Sequence, residues 1–373
     1  MPKKATKKVE QDKSPDKKRN ATDKVRENLY LPASYLLELR RTLIPFSPAY
    51  DSVLGGGIVS GSMTTMASAP KCGKTSSLLH LCATCQRPEY GGRYWDKDAV
   101  KDTDNKPGRP VFFYSTENRL TKRDLSLPGL DLSQDKFKLI VTTDKKTLYL
   151  EQFFENIEQT IDLYPGCVIL VDSIGSLCSE KVAEATEGGQ VRDPAPLLSS
   201  FFMKRIGQLL MAKDIIMLNV LHKVTNTGAK PGQATKQTTG GEKIKYGANN
   251  IIEITWSETS RDDEDCMILH LLGKTSELGP PDEKADGCLR LGKGLWDSYE
   301  LVAMCTVADT NHLYNIHKEG SWYTIDSELT GDKAAKIQGI ISVARWFDEH
   351  RAAYKKVYKK YSDMQFTNRK LYS

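Results

Sequence analysis

The chain has 373 residues, 39% of them hydrophobic, with 53 Lys and Arg against 48 Asp and Glu. Residues 1–28 hold ten basic and five acidic side chains, so the remaining 345 carry 43 of each and the formal +5 belongs wholly to the N-terminal segment. No apolar stretch approaches the roughly 20 residues of a membrane helix, no apolar segment follows the charged N-terminus as a secretory signal requires, and eight irregularly spaced cysteines argue against a disulfide framework. An intracellular, cytoplasmic protein is expected.

Residues 1–28 mix Lys, Asp, Glu, Ser and Pro with almost no large apolar side chain, a composition that cannot offset the entropy of ordering. A disordered basic tail is predicted there. Residues 29–44 follow as a short amphipathic helix, with apolar residues at Leu31, Tyr35, Leu36, Leu37, Leu39 and Leu43. Such a helix must dock on something. From residue 45 to about 276, short apolar runs at 62–67, 110–115, 137–141, 167–171, 215–221, 251–256 and 267–272 alternate with helical periodicity at 74–86, 148–163 and 197–212. That alternation predicts an α/β fold of βαβ units around a largely parallel sheet, with ligands at the carboxyl ends of the strands. The last two runs are close enough in sequence to pair antiparallel. Two polar stretches interrupt the pattern, an insertion at 90–109 and a Gly- and Lys-rich loop at 224–241, and loops of that length inside a compact domain are usually functional or disordered. The single CxxC, Cys82 to Cys85, falls on a predicted helix without a second pair at zinc spacing. Beyond residue 292 a mixed segment leads to a predicted helix at 333–361, read as a small C-terminal domain.

The sharpest chemical signal is Ser68-Ala-Pro-Lys-Cys-Gly-Lys-Thr75, which follows a predicted strand and opens a predicted helix. It matches the phosphate-binding pattern G-x-x-x-x-G-K-[ST] with Ser for the first Gly. Backbone N–H groups and a helix N-terminus cradle phosphates in such a loop. Ser68, Ala69, Pro70, Lys71, Cys72, Gly73, Lys74 and Thr75, with Ser76 next in the helix, are therefore the expected nucleotide-binding residues. Lys74 would reach the β- and γ-phosphates, and the Thr75 hydroxyl would ligate Mg2+. A second run, Cys167-Val-Ile-Leu-Val-Asp172, ends a buried strand in a carboxylate that completes a metal site with Thr75. Glu117 lies just past the strand at 110–115. If that strand lies beside the loop strand, Glu117 points at the γ-phosphate and can act as general base toward the attacking water.

These elements, in this order, resemble the RecA family, most closely the UvsX-type recombinases of bacteriophages, over about residues 45–361. Further landmarks are Asp51-Ser-Val-Leu-Gly-Gly-Gly57, Phe113-Tyr-Ser-Thr-Glu117, Val171-Asp-Ser-Ile-Gly-Ser-Leu177, Thr238-Thr-Gly-Gly-Glu242 with Lys245-Tyr246, and Gly320-Ser-Trp-Tyr323. The resemblance implies a RecA-type P-loop ATPase core at 45–292, an N-terminal docking helix at 29–44 and a C-terminal α/β domain at 293–373. It also implies ATP and Mg2+ as cofactors, a helical homo-oligomeric filament on single-stranded DNA, pairing with homologous double-stranded DNA, and single-strand-binding and loading proteins as further partners. A phage-encoded chain would act in the cytoplasm of its bacterial host.

Carried over by residue, the resemblance puts Lys74 and Thr75 on ATP and Mg2+, Asp172 on the metal and Glu117 on the water. His222 falls where RecA has the Gln that senses the γ-phosphate, and UvsX-type proteins place His there. The second DNA loop of the family corresponds to residues 223–246, where Lys223, Lys230, Lys236, Lys243 and Lys245 face one acidic residue, Glu242, and Gly240 and Gly241 permit close approach to a strand. The first DNA loop falls at 181–194, with Arg192 as its clearest cation. Of two cations that reach the neighbouring protomer's ATP in RecA, Lys274 fits the first and Ser276 replaces the second. The aromatic that stacks on adenine falls near Asp124. A hexameric DNA helicase shares the core and its ATP chemistry, and a mediator of low turnover is the non-enzymatic alternative. Thr238-Thr-Gly-Gly resembles the recombinase loop.

Overall fold

In the computed structural model of the chain, the residues described are 34, 39–91, 108–117, 119–143, 148–183, 195–225, 236–238, 247–261, 263–307 and 313–372. Two compact units are present, Met1–Arg40 and Arg41–Ser373. In the first, Ser34 is helical, and the tail expected at 1–28 lies outside the described residues. The helix expected to reach residue 44 does not do so: Leu43–Ile44 form strand β1, which pairs antiparallel with β2, Ile58–Val59. The β-branched Ile44 is fully buried there, and a pleated pairing accommodates it better than a helix end.

The second unit begins with β1, helix α1 (Pro48–Leu54), β2, β3 (Met63–Ser68) and α2 (Lys74–Cys85). Strands β4 (Val111–Ser115), β5 (Phe137–Val141) and β6 (Val168–Asp172) follow, with α3 (Lys122–Leu125) after β4 and α4 (Leu150–Leu163) after β5. Helices α5 (Glu180–Ala183) and α6 (Ala195–Ala212) lead to β7 (Ile216–Thr225), β8 (Lys236–Thr238), β9 (Asn250–Thr259), β10 (Cys266–Thr275), β11 (Glu283–Arg290) and β12 (Gly294–Leu295). These strands from β3 onward build one ten-stranded sheet in the order β12-β11-β10-β9-β3-β7-β6-β4-β5, with β8 hydrogen-bonded to β7. From β9 to β5 the sheet is parallel; β10, β11, β12 and β8 add antiparallel strands.

All seven apolar runs are strands, and the last two pair antiparallel as expected. The parallel strands are apolar on both faces because both are covered. Val111, Phe113, Val168, Leu170, Ile216 and Leu218 pack with α1 and α2 on one side. Phe112, Tyr114, Ile169, Val171 and Met217 pack with α4 and α6 on the other. In α4, Leu150, Phe153, Phe154, Ile157 and Ile161 are the buried residues, the 3.6-residue stripe that its periodicity predicts.

The condition placed on Glu117 is not met. Strand β4 does not lie beside β3, because β6 and β7 stand between them. The chain compensates at the strand end: the Thr116 N–H donates to the Asp172 carbonyl (3.0 Å) and the Thr116 hydroxyl to the Ser173 carbonyl (2.6 Å). The segment after β4 therefore crosses the end of β6, toward β7.

The C-terminal part also differs from its reading. Residues 333–361 are not one helix but β15 (Ala335–Gln338), α9 (Ile340–Glu349) and α10 (Arg351–Gln365). Strand β15 closes a three-stranded sheet with β13 (Ile316–Glu319) and β14 (Trp322–Ile325), joined by the turn at Gly320, φ 61°. Helix α7 (Asp297–Cys305) links this sheet to the large one, and short α8 (Ser327–Thr330) follows β14. Gly339, φ 81°, starts α9 abruptly after β15, and His350, outside helical geometry, separates α9 from α10. Leu301, Tyr314, Tyr323, Phe347, Val357 and Tyr361 form a core of their own.

Glu300 on α7 joins these layers. Fully buried, it accepts hydrogen bonds from the N–H groups of Ala49 (3.0 Å) and Cys288 (2.9 Å). Burial, with Asp297 nearby, pushes its carboxyl up from 4.5 to about 8 against the pull of those bonds. The folded chain thus keeps a proton that the unfolded chain releases between pH 4.5 and about 8, so stability falls as pH rises across that window. The ceiling of this loss is about 5 kcal/mol. Urea unfolding at pH 5 and pH 8 should show the decline in the parent, and Glu300→Gln should flatten it; an unchanged slope in the variant would assign the decline to other groups.

Candidate functional site

Strands β3, β4 and β6 end level with one another at the carboxyl edge of the sheet, and β7 runs on past them to Thr225. Their register pairs Ser68 with His222, and Ser115 with Asp172. At this edge opens a cleft of about 690 Å³ lined by Pro70, Lys71, Cys72, Gly73, Lys74, Thr75, Ser76, Glu117, Asp172 and His222 together with residues of α3, β10 and β11. Five residues singled out from the sequence at four separate places, Lys74, Thr75, Glu117, Asp172 and His222, therefore meet in one space.

The turn between β3 and α2 explains the motif locally. Lys71 (φ 63°) and Gly73 (φ 77°) both adopt left-handed backbone, and a side chain at Gly73 would come within 2.7 Å of Leu289. Gly73 caps α2 without a side-chain bond, and no acidic residue occupies the first turn. The positive helix terminus is left to a ligand. Ser68, where the pattern has Gly, is fully buried as the last residue of β3. Its hydroxyl accepts from the Lys74 ammonium at 2.9 Å and donates to the Ala69 carbonyl at 2.7 Å. The ammonium also bonds the Ala69 carbonyl at 2.8 Å. Burial draws the Lys74 pKa below its ordinary value, opposed by Cys72, Asp172 and Glu117.

Facing the lysine, the Thr75 hydroxyl donates to Asp172 Oδ2 at 2.5 Å. Burial raises the Asp172 carboxyl, Glu117 adds to the rise, and the bond from Thr75 with the charges of His222 and Lys74 opposes it. Both shifts weaken a charge, and an added anion beside Lys74 or cation beside Asp172 would restore it. A hydroxyl and a carboxylate in contact are a donor set that suits a hard divalent cation. Among the described residues, the ligand atoms of Glu117, Asp172 and His222 lie within 4.8 Å of one another.

Glu117 is held from three sides. The Ser173 hydroxyl donates to Oε1 at 2.8 Å, His222 Nε2 stands 2.8 Å from the same oxygen, and Arg119 Nη1 lies 3.0 Å from Oε2. Sequence reasoning missed Arg119 and Ser173, although both are close in sequence to residues it selected. It also missed the apolar wall of the cleft, Met267, Leu289 and Leu291. Asp124 lines the cleft as well, where its carboxylate completes a capping box with Thr121 at the start of α3.

Other candidates lie elsewhere. Lys274, near the end of β10, pairs with Asp282 at 2.8 Å, which raises its pKa, and it is not among the residues lining the cleft. The Ser276 hydroxyl donates to the Leu54 carbonyl at 2.6 Å and accepts from the N–H groups of Leu278 and Gly279, a turn-building role. Lys223 pairs with Glu253 at 2.6 Å. Lys236 opens β8, whose residues Lys236, Gln237 and Thr238 pair with Thr225, Val224 and Lys223. Arg192, Lys230, Gly240, Gly241, Lys243 and Lys245 lie outside the described residues.

No family model matches the chain. It is 23% identical over 296 residues to protein RecA of Oleidesulfovibrio alaskensis, covering 78% of this chain and 75% of that protein. To protein RecA of Fusobacterium nucleatum it is 24% identical over 302 residues, with 79% and 70% covered. To protein RecA of Lactobacillus acidophilus it is 24% identical over 316 residues, with 83% and 76% covered. A mostly parallel central sheet with its loop-helix cleft, and a distant similarity that runs through about four fifths of the chain, thus agree on a relationship to RecA proteins.

Proposed function

We propose that the chain is an ATP-dependent homologous recombinase that forms a filament on single-stranded DNA and pairs it with a homologous duplex. The observation that carries this reading is strand β7. It runs unbroken from Ile216 in the core, past His222 at the cleft, to Thr225, and there pairs with β8. The lysine-rich segment between and beyond these strands is thereby rooted on the residue that faces Glu117. Binding at the cleft and ordering of the loop would be linked through that strand, and linkage is reciprocal.

In this mechanism Lys74 donates to the β- and γ-phosphate oxygens of ATP while the first turn of α2 supplies backbone N–H groups. Thr75 and Asp172 would hold Mg2+, which when bound neutralises charge on the phosphates. Glu117, oriented by Ser173 and Arg119, accepts a proton from the attacking water. His222 responds to the γ-phosphate through its contact with Glu117 and passes that state along β7. Lys223, Lys230, Lys236, Lys243 and Lys245 would neutralise DNA phosphates, Lys223 exchanging its pairing with Glu253 for one of them. Lys274 would act on the neighbouring protomer's nucleotide. His at 222, where RecA has Gln, supports a UvsX-type, phage-encoded member acting in the bacterial cytoplasm; among the described residues no helix is long and apolar enough to cross a membrane.

The test is ATP turnover with and without single-stranded DNA over a range of salt. DNA should stimulate the parent chain, the stimulation should fall as salt rises, and Lys74→Ala should lose about 10²- to 10³-fold in turnover. Indifference of the parent to DNA at every salt concentration would remove the recombinase reading. Closed rings in electron micrographs, in place of open helical filaments, would move the assignment to a helicase.

A further inference from the structure

We propose that Glu117, Asp172 and His222 form a binding site for a first-row divalent transition-metal ion, one that the chain takes up without nucleotide. Three neighbouring strands bring the donors together: Asp172 ends β6, His222 lies on β7 and Glu117 follows β4. One ligand atom from each lies within 4.8 Å of the other two. Glu117 Oε1 and His222 Nε2 are already 2.8 Å apart, a separation that two cis ligands of one ion at about 2.1 Å can adopt.

The donor set chooses the ion. Mg2+ prefers oxygen ligands and retains its waters, whereas an imidazole beside two carboxylates favours the later first-row ions, with Mn2+ a weaker and spectroscopically visible member of the series. The surroundings also suit a metal centre. Ser173 and Arg119 fix the Glu117 carboxylate, and Thr75 fixes that of Asp172, the kind of outer support that orients ligands. The site faces the 690 Å³ cleft, so water can fill the remaining positions. Asp172 is shared with the Mg2+ position of the proposed function, but the nitrogen donor and Glu117 are not. An ion held here occupies the oxygen that Glu117 needs as a base, so it inhibits hydrolysis.

The experiment uses the full nucleotide-free chain titrated with Mn2+. Free ion is followed by its electron paramagnetic resonance signal, and ligand nitrogen by electron spin echo envelope modulation. The parent should bind one Mn2+ with a single imidazole ¹⁴N coupling. His222→Asn should abolish that coupling and weaken binding at least tenfold, a loss no smaller than that for an outer-sphere partner. Glu117→Gln should weaken binding while retaining the nitrogen coupling, which separates loss of a ligand from loss of the fold. No ¹⁴N coupling in the parent, or affinity unchanged in both variants, would overturn the assignment. Turnover with Mg2+ and ATP reads the proposed function separately, so either conclusion can fail without the other.

Discussion

Glu117→Gln is expected to lower ATP turnover by about 10²- to 10⁴-fold, the span of a general base, while nucleotide affinity stays within a few-fold. The substitution keeps the shape of the side chain and an oxygen that can still accept from the Ser173 hydroxyl, 2.8 Å from Oε1 in the parent. It removes the charge that faces both Arg119 and His222. Binding should be spared because the proposed phosphate contacts belong to the β3–α2 turn and to Lys74 at the start of α2, away from the end of β4. Single-turnover hydrolysis with single-stranded DNA present, together with binding of a fluorescent ATP analogue, separates the two effects. Combining Glu117→Gln with Lys74→Ala should cost far less than the product of the single losses, since residues that act on one transition state are not additive. A variant that keeps a tenth or more of the parent turnover would mean that Glu117 only positions the water. In that case Ser173→Ala, which releases the carboxylate without changing its charge, should be equally mild.

The geometric condition for Glu117, β4 lying next to β3, is not met: the sheet places two strands between them. The chemistry nevertheless reaches the cleft because two hydrogen bonds from Thr116 fold the chain across the end of β6. A strand order is a tertiary property that apolar runs do not encode, whereas a residue just past a strand's carboxyl end is local. That difference accounts for much of what could be read in advance. Runs such as 110–115 and 167–171 were legible because both faces of their strands are buried. Strand β11 was not, because Glu-Lys-Ala-Asp-Gly-Cys-Leu-Arg has no alternation, and its Gly287 sits where a side chain would crowd Glu300. Missing β11 hid Leu289 and with it the apolar wall of the cleft. The helix read at 333–361 failed for a related reason: the four residues of β15 acquire their conformation from pairing with β14, not from a pattern of their own.

Arg109→Ala should destabilise the fold by roughly 3–5 kcal/mol, the range for breaking a buried ion pair from one side. In the sequence this arginine is the last residue of the polar insertion at 90–109. In the fold it is fully buried, and Asp214 beside it is 1% exposed. Its guanidinium reaches Asp214 Oδ2 at 2.9 Å, the carbonyls of Asp214, Gly166 and Tyr90 at 2.7, 2.9 and 2.8 Å, and the Thr42 hydroxyl at 3.5 Å. Five contacts match the five N–H donors of the fork, so truncation strands carbonyls from three parts of the chain as well as a carboxylate. Lysine cannot substitute, since a single ammonium reproduces neither the plane nor the spread of those donors. Urea unfolding should therefore place Arg109→Lys between the parent and Arg109→Ala. Adding Asp214→Asn to Arg109→Ala should recover part of the loss, because the partner's buried charge is removed with its counterion. Nucleotide turnover at low temperature should persist in all three variants, for neither Arg109 nor Asp214 lines the cleft. A loss under about 1 kcal/mol in Arg109→Ala would mean that water enters and replaces the fork, a substitution open only to a site less sealed than this one.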